Sequence, residues 1–512
     1  TLKMLGETEK SLTAYQCGLK YSANDIPSLN EIGLLFTELK KFDEAEAAFL
    51  KAFSLNENNA STCINVSHLY VEKKEVRKAI DFANKALTLE PYRSEPYCNI
   101  GTAFIIGNQI PEGIEYLKLS LSLTNKSTKT ALTHQSILMN MLYADCYSPE
   151  EIFLEHKNWA NTHLIQKSTF DNKAGLTFNK HKILNIGFVS SDFNDHSIAQ
   201  FLTPVMENIN QDKFKIHCYS TTEKIDQITK IYKQFATKWH DIANIDEHEI
   251  DNIIRQDKID ILIDLSGHSL GSNISIFANK PAPIQITYLG YPFSSGLKNM
   301  DYRITDYFTD PENITEHLHS EKLARISPSF LCYKPKAAPI INKTLPRERN
   351  SYLTFGSFNN FYKLSNDTIS AWAKILINTP QSVIFLKSTL PIPDGLKDTI
   401  LSRFEENGIH FSRIKMHHAT IKKTEHLDMY NNIDICLDPF PYNGTTTTYE
   451  AISMGVPVVA LSGDCHHSRV SSGILNNLGL TELTAESTET YISLATNLAK
   501  NTDKLKHYRK NL

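Results

Sequence analysis

No two cysteines in this chain have metal-site or redox spacing. The eight, at positions 17, 63, 98, 146, 218, 332, 436 and 465, are scattered through 512 residues. That argues against a zinc site or a disulfide scaffold and fits a reducing cytosol. Nucleotide-binding glycine motifs are also missing. Without G-x-G-x-x-G a dinucleotide-dependent dehydrogenase is disfavoured, and without G-x-x-x-x-G-K-[ST] so is a P-loop NTPase. No apolar run reaches the length of a membrane span, and the first residues lack the basic-then-apolar form of a signal peptide. Neither sign of charge dominates: 53 Lys and Arg stand against 57 Asp and Glu, a net charge of −4, so bulk electrostatics suggest no nucleic-acid partner. What is left is a soluble cytoplasmic protein without a membrane span, long enough for several domains, each with its own core.

The first quarter repeats itself. EIGLLFTELKKFDEAEAAFLKAFSL from Glu31, NVSHLYVEKKEVRKAIDFANKALTL from Asn65 and NIGTAFIIGNQIPEGIEYLKLSLSL from Asn99 share one pattern. Gly33, Ser67 and Gly101 occupy one position, Phe36, Tyr70 and Phe104 a second, and Ala45, Ala79 and Gly113 a third, each 34 residues apart. Two helices per unit with small residues at their crossing resemble the tetratricopeptide repeat, whose default role is to offer a groove to a peptide or partner. The segment Thr8 to Tyr21 matches only the second helix of a unit, so the chain is expected to begin inside a repeat.

After a helical connector the pattern changes to strands alternating with helices. ILNIGFVSS, FKIHCYS, IDILIDLSG and APIQITYLGYP read as buried strands, and YLTFGSF, SVIFLKS, DICLDPF and PVVALSG repeat the theme beyond a Pro- and Lys-rich linker. This is the βαβ signature of doubly wound parallel sheets. The expected division is a repeat array over 1–128, a connector over 129–180, and two Rossmann-like domains over 181–340 and 341–512, with ligand bound where the strand C-termini face each other.

Three clusters follow expected strand ends. In DICLDPFPYNGTTTTYEAISMG, four threonines from Thr445 open a helix. Unpaired first-turn amides and the helix dipole suit a phosphate there, although a threonine cap completed by Glu450 is the alternative. VSSDFNDHS places Asp192, Asp195 and His196 in one loop, either an acid–base group or a helix cap with a bystander histidine. FGSFNNFYK ends in Asn360 and Lys363, and a lysine over a diphosphate supplies positive charge to a leaving group. Lys423 and His426, three residues apart, share a helical face, and by spacing alone they point to water. His268 and the turn at Tyr291 and Pro292 are further candidates for lining the cleft. Together these residues suggest transfer of a group from a nucleotide diphosphate donor to a polypeptide.

The ordered motifs VSSDFNDHS, PAPIQITYLGYPFSSG, FGSFNNFYK, DICLDPFPYNGTTTTYEAISMGVPVV and SRVSSGILNNLGL, set behind the repeats, resemble the O-GlcNAc transferase and SPINDLY-like glycosyltransferases over nearly the whole chain. The resemblance implies an α/β GT-B fold, two Rossmann-like domains behind the all-α repeat array. It also implies an inverting, metal-independent transfer without a cofactor, moving GlcNAc from UDP-GlcNAc to Ser or Thr of proteins held along the repeats, with self-association through the repeats as a further expectation. It gives His196, Asp192 and Lys363 catalytic roles. Donor binding falls to Asn360, Thr445, Thr446, Thr447 and Glu450, and to Lys423 and His426 as a nucleoside-contacting pair, against the spacing argument. His134 in the connector is implied to line the site. The animal enzymes carry His at the position of Thr445, Asp at that of Glu450 and Gln at that of Asn360. SPINDLY-like relatives use GDP-fucose and more distant ones UDP-glucose, so those donors stand as alternatives, as does an inactive repeat scaffold. The two catalytic domains follow one another without a long insertion, which favours a bacterial protein.

Overall fold

The computed structural model describes residues 8–124, 127–165, 182–337, 340–388, 391–393, 395–418, 420 and 422–512. The far end of the expected connector and the middle of the Pro- and Lys-rich linker lie outside these residues. The chain divides into two compact units, Thr1–Met141 with Ile392–Ser402 and Leu142–Pro391 with Arg403–Leu512.

In the first unit the 34-residue period becomes three helix pairs: Ile26–Glu38 with Phe42–Leu55, Ala60–Glu72 with Val76–Leu89, and Ser94–Ile106 with Ile110–Ser122. The small residues are explained by their crossings. A β-carbon on Gly33 would lie 2.4 Å from the Phe49 ring, and one on Gly101 would lie 2.8 Å from the Gly113 carbonyl. Ser67, at the same phase, instead donates its hydroxyl to the Ala79 carbonyl at 2.8 Å. Each pair turns through a left-handed residue: Lys40, Lys74 and Asn108 have φ of 56°, 61° and 59°. The helix Thr8–Tyr21 precedes the pairs. The helix Thr128–Met141, which the sequence assigned to the connector, closes this unit and packs on the last repeat helix.

The second unit opens with the helix Pro149–His163, begun by a Ser148/Glu151 capping box, and then builds two sheets. The first contains β1 (Leu184–Ser190), β2 (Phe214–Ser220), β3 (Lys238–Asp241), β4 (Ile261–Asp264), β5 (Ile284–Thr287), β6 (Tyr302–Thr305) and β7 (Lys322–Arg325). Their spatial order is β3-β2-β1-β4-β5-β6-β7, all parallel. The second sheet contains β8 (Leu353–Ser357), β9 (Ser382–Lys387), β10 (Ile414–His417), β11 (Ile435–Leu437), β12 (Val458–Leu461) and β13 (Thr484–Ala485). Its order is β10-β9-β8-β11-β12-β13, again parallel throughout. Both orders reverse direction at a central strand, the doubly wound arrangement in which loops at the strand C-termini form a crevice. The eight expected strands are present, and five short ones (β3, β6, β7, β10 and β13) join them.

A buried bond ties the two sheets' loops together. Nδ1 of His466, after β12, lies 2.6 Å from Oδ2 of Asp310, after β6. Burial pushes the His466 imidazole down to about 4, so a neutral ring donates its N–H to the carboxylate.

Candidate active site

Segments after β1, β5, β8, β10 and β11 and the end of β9 surround a cleft of about 700 Å³ whose lining includes His196, Gln200, Pro292, Asn359, Asn360, Lys363, Lys387, Lys423, His426, Tyr442, Thr445, Thr446, Thr447 and Glu450. At the β11 side, Gly444 lets the chain turn tightly enough to begin the helix Thr446–Ser453. Any β-carbon there would sit 2.6 Å from the Thr447 hydroxyl and 2.8 Å from Asp438 Oδ1. The Gly444 amide donates to that same Asp438 oxygen at 2.9 Å. Thr445 holds the N-cap position, yet its side chain makes no capping bond. The capping alternative is therefore not what the structure adopts. The Thr447 hydroxyl donates to Asn359 Oδ1 at 3.1 Å. Thr448 is buried, 2.7 Å from the Ser471 hydroxyl, so three of the four threonines reach the cleft.

Lys363 stands beside this turn, on the short turn Phe361–Lys363 after β8, where Asn360 caps the turn by accepting from the Tyr362 amide at 3.2 Å. The lysine Nζ donates to the Asn443 carbonyl at 2.6 Å and lies 4.1 Å from the Tyr442 ring centre. Burial pushes its pKa down to about 8, with the Asp438 charge opposing. Burial likewise pushes Asp438 up to about 7, and its Oδ2 has no hydrogen-bond partner.

The third corner is a charged cluster. Lys423 donates to Glu450 Oε1, and His426 Nε2 lies 2.8 Å from Glu450 Oε2. Lys387, the last residue of β9, places Nζ 2.7 Å from His426 Nδ1. Burial would raise the Glu450 carboxyl, but the His426 hydrogen bond and the Lys423 charge outweigh it and hold the group below the ordinary range. Burial lowers His426, and Lys387 and Lys423 lower it further against Glu450. Lys423 and His426 thus face a carboxylate in the cleft wall, not water.

His196 is exposed on the loop after β1, with Nδ1 3.8 Å from Asp192 Oδ2. Burial raises the Asp192 carboxyl, partly offset by His196. The next helix, Ala199–Asn208, starts at Ile198 with no side-chain cap, so neither Asp192 nor Asp195 is a cap. Lys336 pairs with the Asp195 carboxylate and donates to the His196 carbonyl at 3.3 Å, while the Lys334 amide donates to Gln200 O at 2.8 Å. The segment leading out of the first sheet is stitched to the histidine loop.

Three expected lining residues are not among those that line the cleft. His268 and Tyr291 are buried at 2% exposure each in an aromatic cluster with His156 and Trp159. His268 Nε2 meets the Ser295 carbonyl at 2.8 Å, and the Tyr291 hydroxyl meets His156 Nε2 at 2.8 Å. The two rings find their partners in the interior, and Gly267, at φ 54°, packs so tightly on Tyr291 that a β-carbon would lie 2.2 Å away. Their neighbour Pro292 does line the cleft. His134 belongs to the first unit, buried on the helix Thr128–Met141. Asn359, Lys387, Gln200 and Tyr442 were missed; Lys387 could have been found from its place at the C-terminal end of a central strand.

The model of glycosyl transferase family 41 matches residues 141–337 and 338–512, and a tetratricopeptide-repeat model matches 26–59 and 60–93. A protein of Hordeum vulgare described as a probable UDP-N-acetylglucosamine–peptide N-acetylglucosaminyltransferase, SPINDLY, is 36% identical over 387 residues, covering 74% of this chain and 40% of its own length. The corresponding SEC protein of Arabidopsis thaliana is 30% identical over 357 residues, covering 67% of this chain and 36% of its own. The chain spans about two fifths of the length of these curated relatives. Among solved structures, a point variant of the Thermobaculum terrenum O-GlcNAc transferase superposes with a TM-score of 0.82 at 26% identity, over 95% of this chain and 91% of that one. The expected GT-B architecture behind a repeat array is the observed one. With the family model matched from residue 141 to the C-terminus, the chain belongs to glycosyl transferase family 41.

Proposed function

We propose that the protein is an inverting, metal-independent O-glycosyltransferase that moves GlcNAc from UDP-GlcNAc to Ser or Thr hydroxyls of protein substrates. The observation that carries this reading is that the Lys363 ammonium and the uncapped threonine helix terminus face one cleft. The first supplies mobile positive charge and the second fixed N–H dipoles, the two things a departing diphosphate needs. The Lys423–His426–Glu450 cluster in the same cleft offers a carboxylate to ribose hydroxyls and the Lys423 ammonium to a base.

The reaction is a single in-line displacement. The acceptor hydroxyl attacks the anomeric carbon, the bond to the donor phosphate breaks, and the nucleotide diphosphate leaves toward Lys363 and Thr445–Thr447. Charge grows on that phosphate in the transition state, so these groups act on turnover more than on ground-state binding. His196, with Asp192 behind it, lines the same cleft, and the proton of the attacking hydroxyl passes to it or to an oxygen of the leaving phosphate. We read the repeat array as the element that takes protein acceptors and as a surface for self-association. None of the described helices is long and apolar enough to cross a membrane, and the eight free cysteines support a cytoplasmic setting.

The test is to incubate the purified chain separately with UDP-GlcNAc, UDP-glucose and GDP-fucose. Nucleotide diphosphate release is followed with and without Ser/Thr-rich peptides. Release from UDP-GlcNAc with a matching peptide mass gain is expected. Release from another donor alone reassigns the sugar, and release from none favours a scaffold.

A further inference from the structure

Lys387 is buried to 1% exposure at the end of β9 and borders the cleft, yet the displacement itself leaves it without a task. Its Nζ is 2.7 Å from Nδ1 of His426, whose Nε2 is 2.8 Å from Glu450 Oε2. An ammonium offers only hydrogens and a carboxylate only lone pairs. The ring between them therefore accepts at Nδ1 and donates at Nε2, the neutral Nε2–H tautomer. Lys423 occupies the other carboxylate oxygen. Among the described residues two tyrosines also face Glu450: Tyr430, whose hydroxyl is 3.5 Å from Oε2, and Tyr333, whose hydroxyl burial and the Glu450 charge hold neutral. The Phe358 ring closes the side toward β8.

We propose that Lys387 is the positioning residue of the donor's ribose subsite: by occupying Nδ1 it keeps His426 neutral with its Nε2–H on Glu450, which holds that carboxylate ready to accept a ribose hydroxyl. The proposal rests on the reading of the cleft as a nucleotide-sugar site. Remove the ammonium, and the imidazole gains a free lone pair beside a buried carboxylate, which favours its protonation. An imidazolium grips the carboxylate with a charge-assisted bond and withdraws it from a neutral sugar hydroxyl. Arginine keeps a donor at that place, whereas methionine keeps only the bulk.

The experiment combines calorimetric binding of UDP, across roughly pH 5.5 to 8, with ¹⁵N-histidine spectra in which His426 is assigned by its loss in His426→Asn. It uses the wild-type chain, Lys387→Met and Lys387→Arg. The wild type is expected to show the neutral Nε2–H form, with a pH profile of UDP affinity that serves as the reference because the diphosphate and Lys363 themselves titrate in this range. Lys387→Met is expected to show a His426 that titrates near the ordinary histidine range, and to bind UDP about tenfold more weakly than the wild type near pH 6 while matching it near pH 8. Lys387→Arg restores the wild-type pattern. An Nδ1–H tautomer in the wild-type chain overturns the proposal, whether or not the methionine variant folds. So does a methionine variant with unchanged ring and unchanged pH dependence. A wild-type chain that binds neither UDP nor GDP overturns the nucleotide reading and the ribose role with it, while the spectra still decide whether Lys387 fixes the ring.

Discussion

The Lys363 ammonium and the Asn443 carbonyl are 2.6 Å apart, a bond between a cation and a neutral backbone group. The Tyr442 ring, the cation's other close neighbour in the cleft wall, is neutral too. Neither of these two partners cancels the charge, and the Asp438 carboxylate acts to keep the lysine protonated, so the ammonium is present for an arriving phosphate. Lys363→Ala should therefore lower kcat by about 10²–10³-fold, with circular dichroism and UDP affinity changed little. Steady-state kinetics beside the two controls check this, and wild-type turnover removes Lys363 from the chemistry.

The same lysine gives a pH dependence. It must be protonated to act, and burial has moved it down to about 8. kcat/KM should accordingly fall as pH rises through about 8. The Asp438 carboxylate opposes that lowering, so Asp438→Asn should move the alkaline limb to lower pH. A pH series of kcat/KM on both proteins decides it, and a limb that moves upward contradicts the assignment.

His196 and Asp192 should separate in their effects. His196→Ala removes a group exposed to the acceptor side and should cost about 10²-fold in kcat. Asp192 sits 3.8 Å behind it, so Asp192→Asn should cost less. Neither should alter UDP affinity by more than a few-fold, as calorimetry can show.

Gly444→Ala places a methyl 2.6 to 2.8 Å from Thr447, Asp438 and Thr448 oxygens. Overpacking of this kind costs about 1–3 kcal/mol. Urea unfolding should show that loss, and donor KM should rise because the threonine turn is displaced.

Much of this was legible in the sequence, for reasons particular residues make plain. The repeat is visible because one contact, a small residue under the facing helix, recurs in phase at Gly33, Ser67 and Gly101. β1, β2, β4 and β5 are covered on both faces and so read as apolar runs. β3 (KWHD), β7 (KLAR) and β10 (IKMH) lie at sheet edges, where charged residues blunt the open side and erase the pattern. At the site, spacing placed Lys423 and His426 on one helical face but could not supply Glu450, 27 and 24 residues further on. Lys387 reads as a surface lysine ending an apolar strand, and only the imidazole packed against it gives it meaning. Four consecutive threonines look equivalent in sequence, yet a helix advances about 100° per residue, which turns the fourth into the interior.

The left-handed residues Lys40, Lys74 and Asn108 give the repeat array something like a crystal's unit cell. Each is a bulky or polar side chain in a conformation that glycine adopts without cost, so every period carries the same small strain and the same compensating crossing. Inserting or deleting one whole 34-residue period would leave the stack in register. Any other length change shifts the phase of everything beyond it. Such an array can vary its reach only in steps of one period, like a ruler cut at its marks.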